Sequence, residues 1–139
     1  MSWPLESGLV DSSPLTETAK ALFQGKEIKK KLVTSSVDAS TGEILHYNEN
    51  MPREDIITSV IASASIPCAF PPQYLRGKTL IDGGSALNLD LPAMVNRCKE
   101  IVEKDEDIIV DVIWTDNDKT EGFEEDGGAH TNFLRGGNI

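Results

Sequence analysis

The stretch SIPCAFPP at residues 65–72, followed by LIDGG at residues 80–84, decides how this chain of 139 residues folds. Prolines in the first part cannot continue a helix, because the ring fixes φ and removes the amide donor. The apolar pair before Asp82 predicts a short strand that ends at this residue. Gly83 and Gly84 then permit a sharp turn and the close approach of a ligand. The pattern places one carboxylate at the carboxyl end of a strand, where ligands collect in open α/β sheets.

The Asp-Gly-Gly motif also has a plainer interpretation. Asp and Gly are ordinary turn formers, so the three residues 82–84 are equally typical of a turn without any catalytic role. Taken alone, the motif favours that ordinary turn. A function for Asp82 therefore has to be argued from other motifs in the chain.

Composition and charge restrict the class of protein. The chain is 39% hydrophobic and 26% charged, which is typical of one globular domain. Its formal net charge of −10 argues against nucleic acid, and against anionic membrane surfaces, as partners held by charge. No apolar run approaches the roughly 20 residues that span a bilayer, and residues 1–6 lack the features of a signal peptide. We expect a cytoplasmic protein, peripheral to membranes at most.

The cysteines and histidines give no sign of a metal or cofactor site. Cys68 and Cys98 are too few for a disulfide framework, and neither has a second cysteine or a histidine at metal-ligand spacing. Both are interpreted as small buried hydrophobic residues. His46 lies within a predicted strand and is interpreted as structural. The prediction is no metal and no cofactor.

Hydrophobic periodicity predicts the order helix, strand, strand, helix, strand, helix, strand, which indicates an α/β fold with helices packed on a layered sheet. Ser13 is expected to cap the first helix and Asp90 the third. The strands are expected at residues 28–37, 43–47, 79–82 and, as a buried strand, 108–114. Residues 115–139 are acidic and glycine-rich, and we expect a flexible tail there.

Several motifs in fixed order carry a resemblance to a known family. ASASIP at residues 62–67, FPP at 70–72, IDGG at 81–84, and Asn88 with LP at 91–92 together resemble the C-terminal part of patatin-like phospholipase domains. GLVDSSPL at residues 8–15 is similar to the segment that follows the nucleophile helix in that family. The resemblance covers residue 8 to about residue 114, so residues 1–114 are interpreted as an incomplete patatin-like domain.

The resemblance implies a lipid acyl hydrolase with a serine–aspartate dyad. Asp82 matches the dyad aspartate, which takes the proton of the serine, and Gly83 and Gly84 match the glycines of its motif. The implied substrates are phospholipids or other lipid esters, with transient contact to a membrane surface. The chain departs from the family pattern, because its 139 residues contain no Gly-x-Ser-x-Gly nucleophile elbow. Ser85 does not replace that serine, since the second glycine is missing and Asp82 is too near in sequence.

Three hypotheses follow. In the first, the chain is part of a hydrolase, supplies only the dyad aspartate, and is inactive by itself. In the second, it is a catalytically inactive, patatin-derived binding or scaffold module. In the third, it is an α/β domain with an ordinary Asp-Gly-Gly turn. A Ser-His-Asp triad has only His46 and His130 as candidates, and neither lies in a supporting motif.

Overall fold

The structure is a computed structural model that describes residues 9–113. The chain divides into two compact units after Ile108. The first contains three helices and a four-stranded sheet, so the prediction of an α/β fold is confirmed. In chain order the elements are α1 (Ser13–Phe23), β1 (Val33–Asp38), β2 (Ile44–Asn48), α2 (Arg53–Ala62), β3 (Gln73–Leu75), β4 (Lys78–Asp82) and α3 (Leu91–Lys99).

The sheet is antiparallel throughout and has the strand order β2-β1-β4-β3. Two hairpins build it. β1 and β2 are joined by a turn in which Gly42 has a φ of 76°. β3 and β4 are joined by Arg76 and Gly77, whose φ angles of 50° and 77° are those of a tight two-residue hairpin turn. The central pair, β1 and β4, places the end of β4 beside the middle of β1.

Helix α2 lies between α1 and one face of the sheet, and an apolar cluster forms at each contact. Against the sheet, Ala62 packs with Leu75 and Leu80, all buried. Against α1, a second cluster is formed by Ala19, Ile57 and Ile61, with Phe23 packed onto it. Small residues on the sheet side let the helix approach the strands closely. No helix in the described ranges is long and apolar enough to cross a membrane.

The predicted helix caps differ from those observed. Asp90 caps α3 as predicted, since its side chain accepts a hydrogen bond from the Ala93 amide at 3.1 Å. Ser13 does not cap α1. It is already the first helical residue, and its amide and hydroxyl both donate to the Asp11 carboxylate, at 2.9 and 2.6 Å. The carboxylate therefore satisfies the start of α1 from outside the helix.

Two further expectations are corrected by the structure. The first strand begins at Val33 and not at residue 28, because the intervening lysines at 29–31 are exposed. Cys68 is exposed and not buried, and it lies in a turn where its φ is 70°. Cys98 is half-buried.

The second unit is described only at residues 109–113. The predicted buried strand at 108–114 is wrong over its described residues, which have no strand conformation. Ile109 and Ile113 are 90% and 89% exposed. Strand preference alone does not form a strand without a neighbouring strand to pair with, and no described residues pair with this segment. Residue 114 and the predicted flexible tail at 115–139 lie outside the described residues.

Candidate functional site

Asp82 is the last residue of β4, and the main chain holds it from both sides. Its amide donates to the Ser65 carbonyl at 3.0 Å, which ties the strand end to the segment after α2. Its side chain accepts a hydrogen bond from the Gly84 amide at 2.9 Å, through Oδ1. Asp82 thereby caps the 3₁₀ turn Gly83–Ser85. The side chain is half-buried, and Oδ2 accepts no hydrogen bond from the described residues.

The two glycines after Asp82 have different physical roles. A Cβ on Gly83 would lie 2.5 Å from the carbonyl oxygen of Ser35 and 2.9 Å from its carbonyl carbon. Such contacts do not occur between real Cβ atoms and backbone, so only glycine fits here. A Cβ on Gly84 would lie 3.4 Å from the side-chain oxygens of Asn88 and Asp82. Gly83 therefore allows the turn to pack against β1, whereas the missing side chain of Gly84 mainly leaves the Asp82 carboxylate accessible.

Asp82 shares one face of the sheet with polar residues of β1. Residues Thr34, Ser36 and Asp38 alternate along β1 and lie on the face that α2 covers. Thr34 donates to the Ser59 hydroxyl at 3.0 Å, and Asp38 accepts from Lys78 at 2.9 Å. Ser36, between them, is directly opposite Asp82 in the β1–β4 pairing. This polar row was not predicted from the sequence.

A second polar cluster joins β1, β2 and α3 around Asp90. Oδ2 of Asp90 lies 2.6 Å from Nε2 of His46 and accepts a hydrogen bond from the Ser35 hydroxyl at 3.0 Å. Burial would raise the pKa of Asp90, but the hydrogen bonds from His46, the Ala93 amide and Ser35 outweigh it and lower the pKa. Ser35 and His46 are opposite each other in the β1–β2 pairing, and both hydrogen-bond to the Asp90 carboxylate. The structure thus brings His46 to Asp90 rather than to Asp82.

A buried ion pair fixes α3 to the strands. Arg97 binds Glu49, and both side chains are 15% exposed. Glu49 also accepts a hydrogen bond from the Leu32 amide at 2.9 Å. Burial would raise the pKa of Glu49, but hydrogen bonds from the Leu32 amide, its own amide and Arg97 lower it to about 2. Arg97 also binds Glu100 at 2.6 Å, and its ion pair with Glu49 holds α3 to the residue that follows β2.

The described residues offer little to a metal ion. Across residues 9–113, no group of three or more His, Cys, Asp or Glu side chains is arranged to hold one. A cleft of about 740 Å³ lies between α1 and α2, away from Asp82, and is lined by polar side chains over Ile57 and Ile61. At the end of β4, Asp82 presents a single carboxylate held by the Gly84 amide, and its role as a base stays a prediction.

Comparison with models of known protein families gives a match. The model of a family described as patatin-like phospholipase matches residues 1–95, which is more than half of the 139 residues. The matched range contains the segment before α1, all strands of the sheet, and the Asp82 turn. None of the curated proteins matches the chain.

Proposed function

This chain belongs to the patatin-like phospholipase family, and we propose that Asp82 is the base of a serine–aspartate dyad that hydrolyses carboxylic esters of phospholipids or acylglycerols. The family membership supports a lipid hydrolase-type domain. The observation that carries the finer proposal is the state of the carboxylate. One oxygen is held by the Gly84 amide, the other accepts no hydrogen bond within the described residues, and the residue as a whole is half-buried.

The proposed reaction needs one proton acceptor beside a serine hydroxyl. The serine oxygen attacks the ester carbonyl while Asp82 takes its proton, and the proton then passes to the leaving alcohol or lysophospholipid. Water, deprotonated by the same carboxylate, hydrolyses the acyl-serine and releases the fatty acid. The serine would come from a Gly-x-Ser-x-Gly segment, which these 139 residues do not contain.

The surroundings of Asp82 support a carboxylate base without a histidine. A group on a rigid turn keeps its distance to a neighbouring hydroxyl, which makes proton transfer geometrically reliable. The Asp82 backbone is restrained by Ser65 and its side chain by Gly84. Rate acceleration in such a site would depend largely on donors to the oxyanion, worth about 3 kcal/mol each in known enzymes.

The test is complementation of this chain by a nucleophile. The chain alone, and the chain joined to the Gly-x-Ser-x-Gly half of an active family member, are assayed with p-nitrophenyl butyrate and with phosphatidylcholine vesicles. Zwitterionic lipid is chosen because the net charge of −10 repels anionic surfaces. We expect turnover only from the joined protein. Asp82→Asn should reduce kcat by at least about a thousandfold, as for loss of an essential general base.

The matched control is Asp111→Asn, which changes an exposed aspartate in the same way. It should leave kcat unchanged. Full turnover in the Asp82→Asn protein would remove Asp82 from the reaction. Vesicle binding by the chain with no turnover in any joined form would instead favour the inactive lipid-binding module.

A further inference from the structure

Ser36 carries a fully buried hydroxyl group that has no hydrogen-bond partner among the described residues. Its exposed fraction is 0%, and Oγ has no hydrogen-bond partner within residues 9–113. An unpaired buried hydroxyl destabilises the folded state, because it loses its hydrogen bonds to water without replacing them. Its neighbours on the same strand face, Thr34 and Asp38, are both paired. Alanine at position 36 would fill nearly the same space and would not carry that cost.

The hydrogen bonds of the sheet show how close Ser36 is to Asp82. Ala39 donates to the Thr79 carbonyl at 2.8 Å, so the odd-numbered residues of β4 direct their backbone groups towards β1. Asp82, of opposite parity, directs its amide away from β1, to the Ser65 carbonyl at 3.0 Å. The Asp82 and Ser36 pair therefore exchanges no backbone hydrogen bonds.

The same conclusion follows from β1. Asp38 donates its amide to the Glu43 carbonyl at 2.9 Å, towards β2. Ser36 is two residues earlier and has the same orientation, away from β4. In antiparallel pairs of this kind the Cα atoms are about 4.5 Å apart and the two side chains lie on one face at their closest spacing. One bond of serine and two of aspartate then bridge the gap to hydrogen-bond distance.

We propose that Ser36 is a positioning residue whose hydroxyl, by rotation about χ1, donates to Oδ2 of Asp82. The Gly84 amide fixes only Oδ1, which leaves the carboxylate plane free to pivot about that oxygen. A second donor on Oδ2 fixes the plane. A carboxylate accepts about four hydrogen bonds, so each oxygen keeps a lone pair for the nucleophile. The catalytic meaning of this contact rests on the proposed function of Asp82, whereas the contact itself does not.

A double-mutant cycle tests the contact without any turnover. Urea unfolding midpoints are measured for the chain, for Ser36→Ala, for Asp82→Ala and for the double variant. We expect Ser36→Ala to lower the midpoint in the native background and to raise it in the Asp82→Ala background, because the buried hydroxyl then has no acceptor and its removal relieves that cost. The control is Ser59→Ala. This buried hydroxyl bonds Thr34 and the Ile56 carbonyl, so its effect should be the same in both backgrounds.

Two outcomes would overturn the proposal. A higher midpoint for Ser36→Ala in the native background would show that the hydroxyl has no partner there, because its removal then relieves the cost of burying it. An equal fall in both backgrounds would show packing without coupling to Asp82. If Asp82→Ala does not fold, Asp82→Asn replaces it, and the Ser36→Ala effect should shrink there because a neutral acceptor binds more weakly than a carboxylate; an unchanged effect is contrary to the proposal.

The two proposals fail separately. If Ser36 and Asp82 are coupled but Asp82→Asn retains full turnover in the joined protein, the hydrogen bond is supported and the dyad role of Asp82 is refuted. If there is no coupling but Asp82→Asn loses turnover, the dyad role is supported and the role of Ser36 is refuted.

Discussion

Replacing Gly83 by alanine should separate the two central strands at the candidate site. The added Cβ would lie 2.5 Å from the Ser35 carbonyl oxygen, which belongs to the backbone of β1 and cannot rotate away. Overpacking that forces backbone to shift costs about 1–3 kcal/mol. The contact is severe, so we take the upper part of that range. Alanine returns about 0.4–1 kcal/mol by restricting the unfolded chain. We therefore expect a net loss of about 2 kcal/mol in the free energy of unfolding.

The measurement is urea or thermal unfolding followed by far-UV circular dichroism. A loss of about 2 kcal/mol corresponds to a fall in Tm of roughly 8–16 °C for a domain near 100 residues. Gly84→Ala is the matched control, since its Cβ would lie no closer than 3.4 Å to its neighbours. We expect its free energy of unfolding to change by less than about 0.5 kcal/mol. Equal losses in the two variants would refute the argument that Gly83 is required by contact with Ser35.

Three further changes test other parts of the fold. Glu49 has a pKa lowered to about 2, so its contribution to stability is present above its ordinary pKa and is lost as pH falls. Urea titrations should show the free energy of unfolding declining from about pH 5 towards pH 2, and the decline should be weaker in Glu49→Gln. Asp90→Ala removes the α3 cap and the partner of His46 and should cost about 2 kcal/mol in the free energy of unfolding by urea; a loss below about 0.5 kcal/mol would contradict the cap assignment. Cys68 has a φ of 70°, so Cys68→Gly should preserve or raise Tm while Cys68→Val lowers it, and the reverse order would contradict the strained turn.

Local chemistry made much of the first unit predictable. The apolar periodicity of α2 and the glycine after β4 both reflect contacts within a few residues, and both were correctly located. Asp90 could be predicted as a cap because Asp is favoured at the N-cap and proline at the first turn of a helix. The family motifs then located Asp82, whose backbone setting at the end of β4 agrees with the prediction even though its catalytic role stays untested.

The failures have a common physical cause, which is dependence on distant residues. β3 has three residues after two prolines, too few to show alternation, and exists because β4 pairs with it. Residues 108–113 have an apolar, β-branched pattern but no described neighbour to pair with, so the pattern did not produce a strand. The role of Ser36 was hidden because it depends on strand register, which sequence pattern does not specify across a gap of more than 40 residues.

Register also explains why the carboxylate is preformed before any nucleophile is present. The backbone of Asp82 is fixed by the adjacent Val37–Ile81 pair of the sheet, by its amide bond to Ser65, and by the close approach of Gly83 to Ser35. These restraints come from β1, from the segment after α2 and from the turn itself, all within the first unit. A serine brought to this edge would therefore meet a carboxylate whose position costs no further ordering, which is the condition for efficient proton transfer. Gly83→Ala should therefore lower kcat of the joined protein, because Asp82 is misplaced, and should leave KM unchanged.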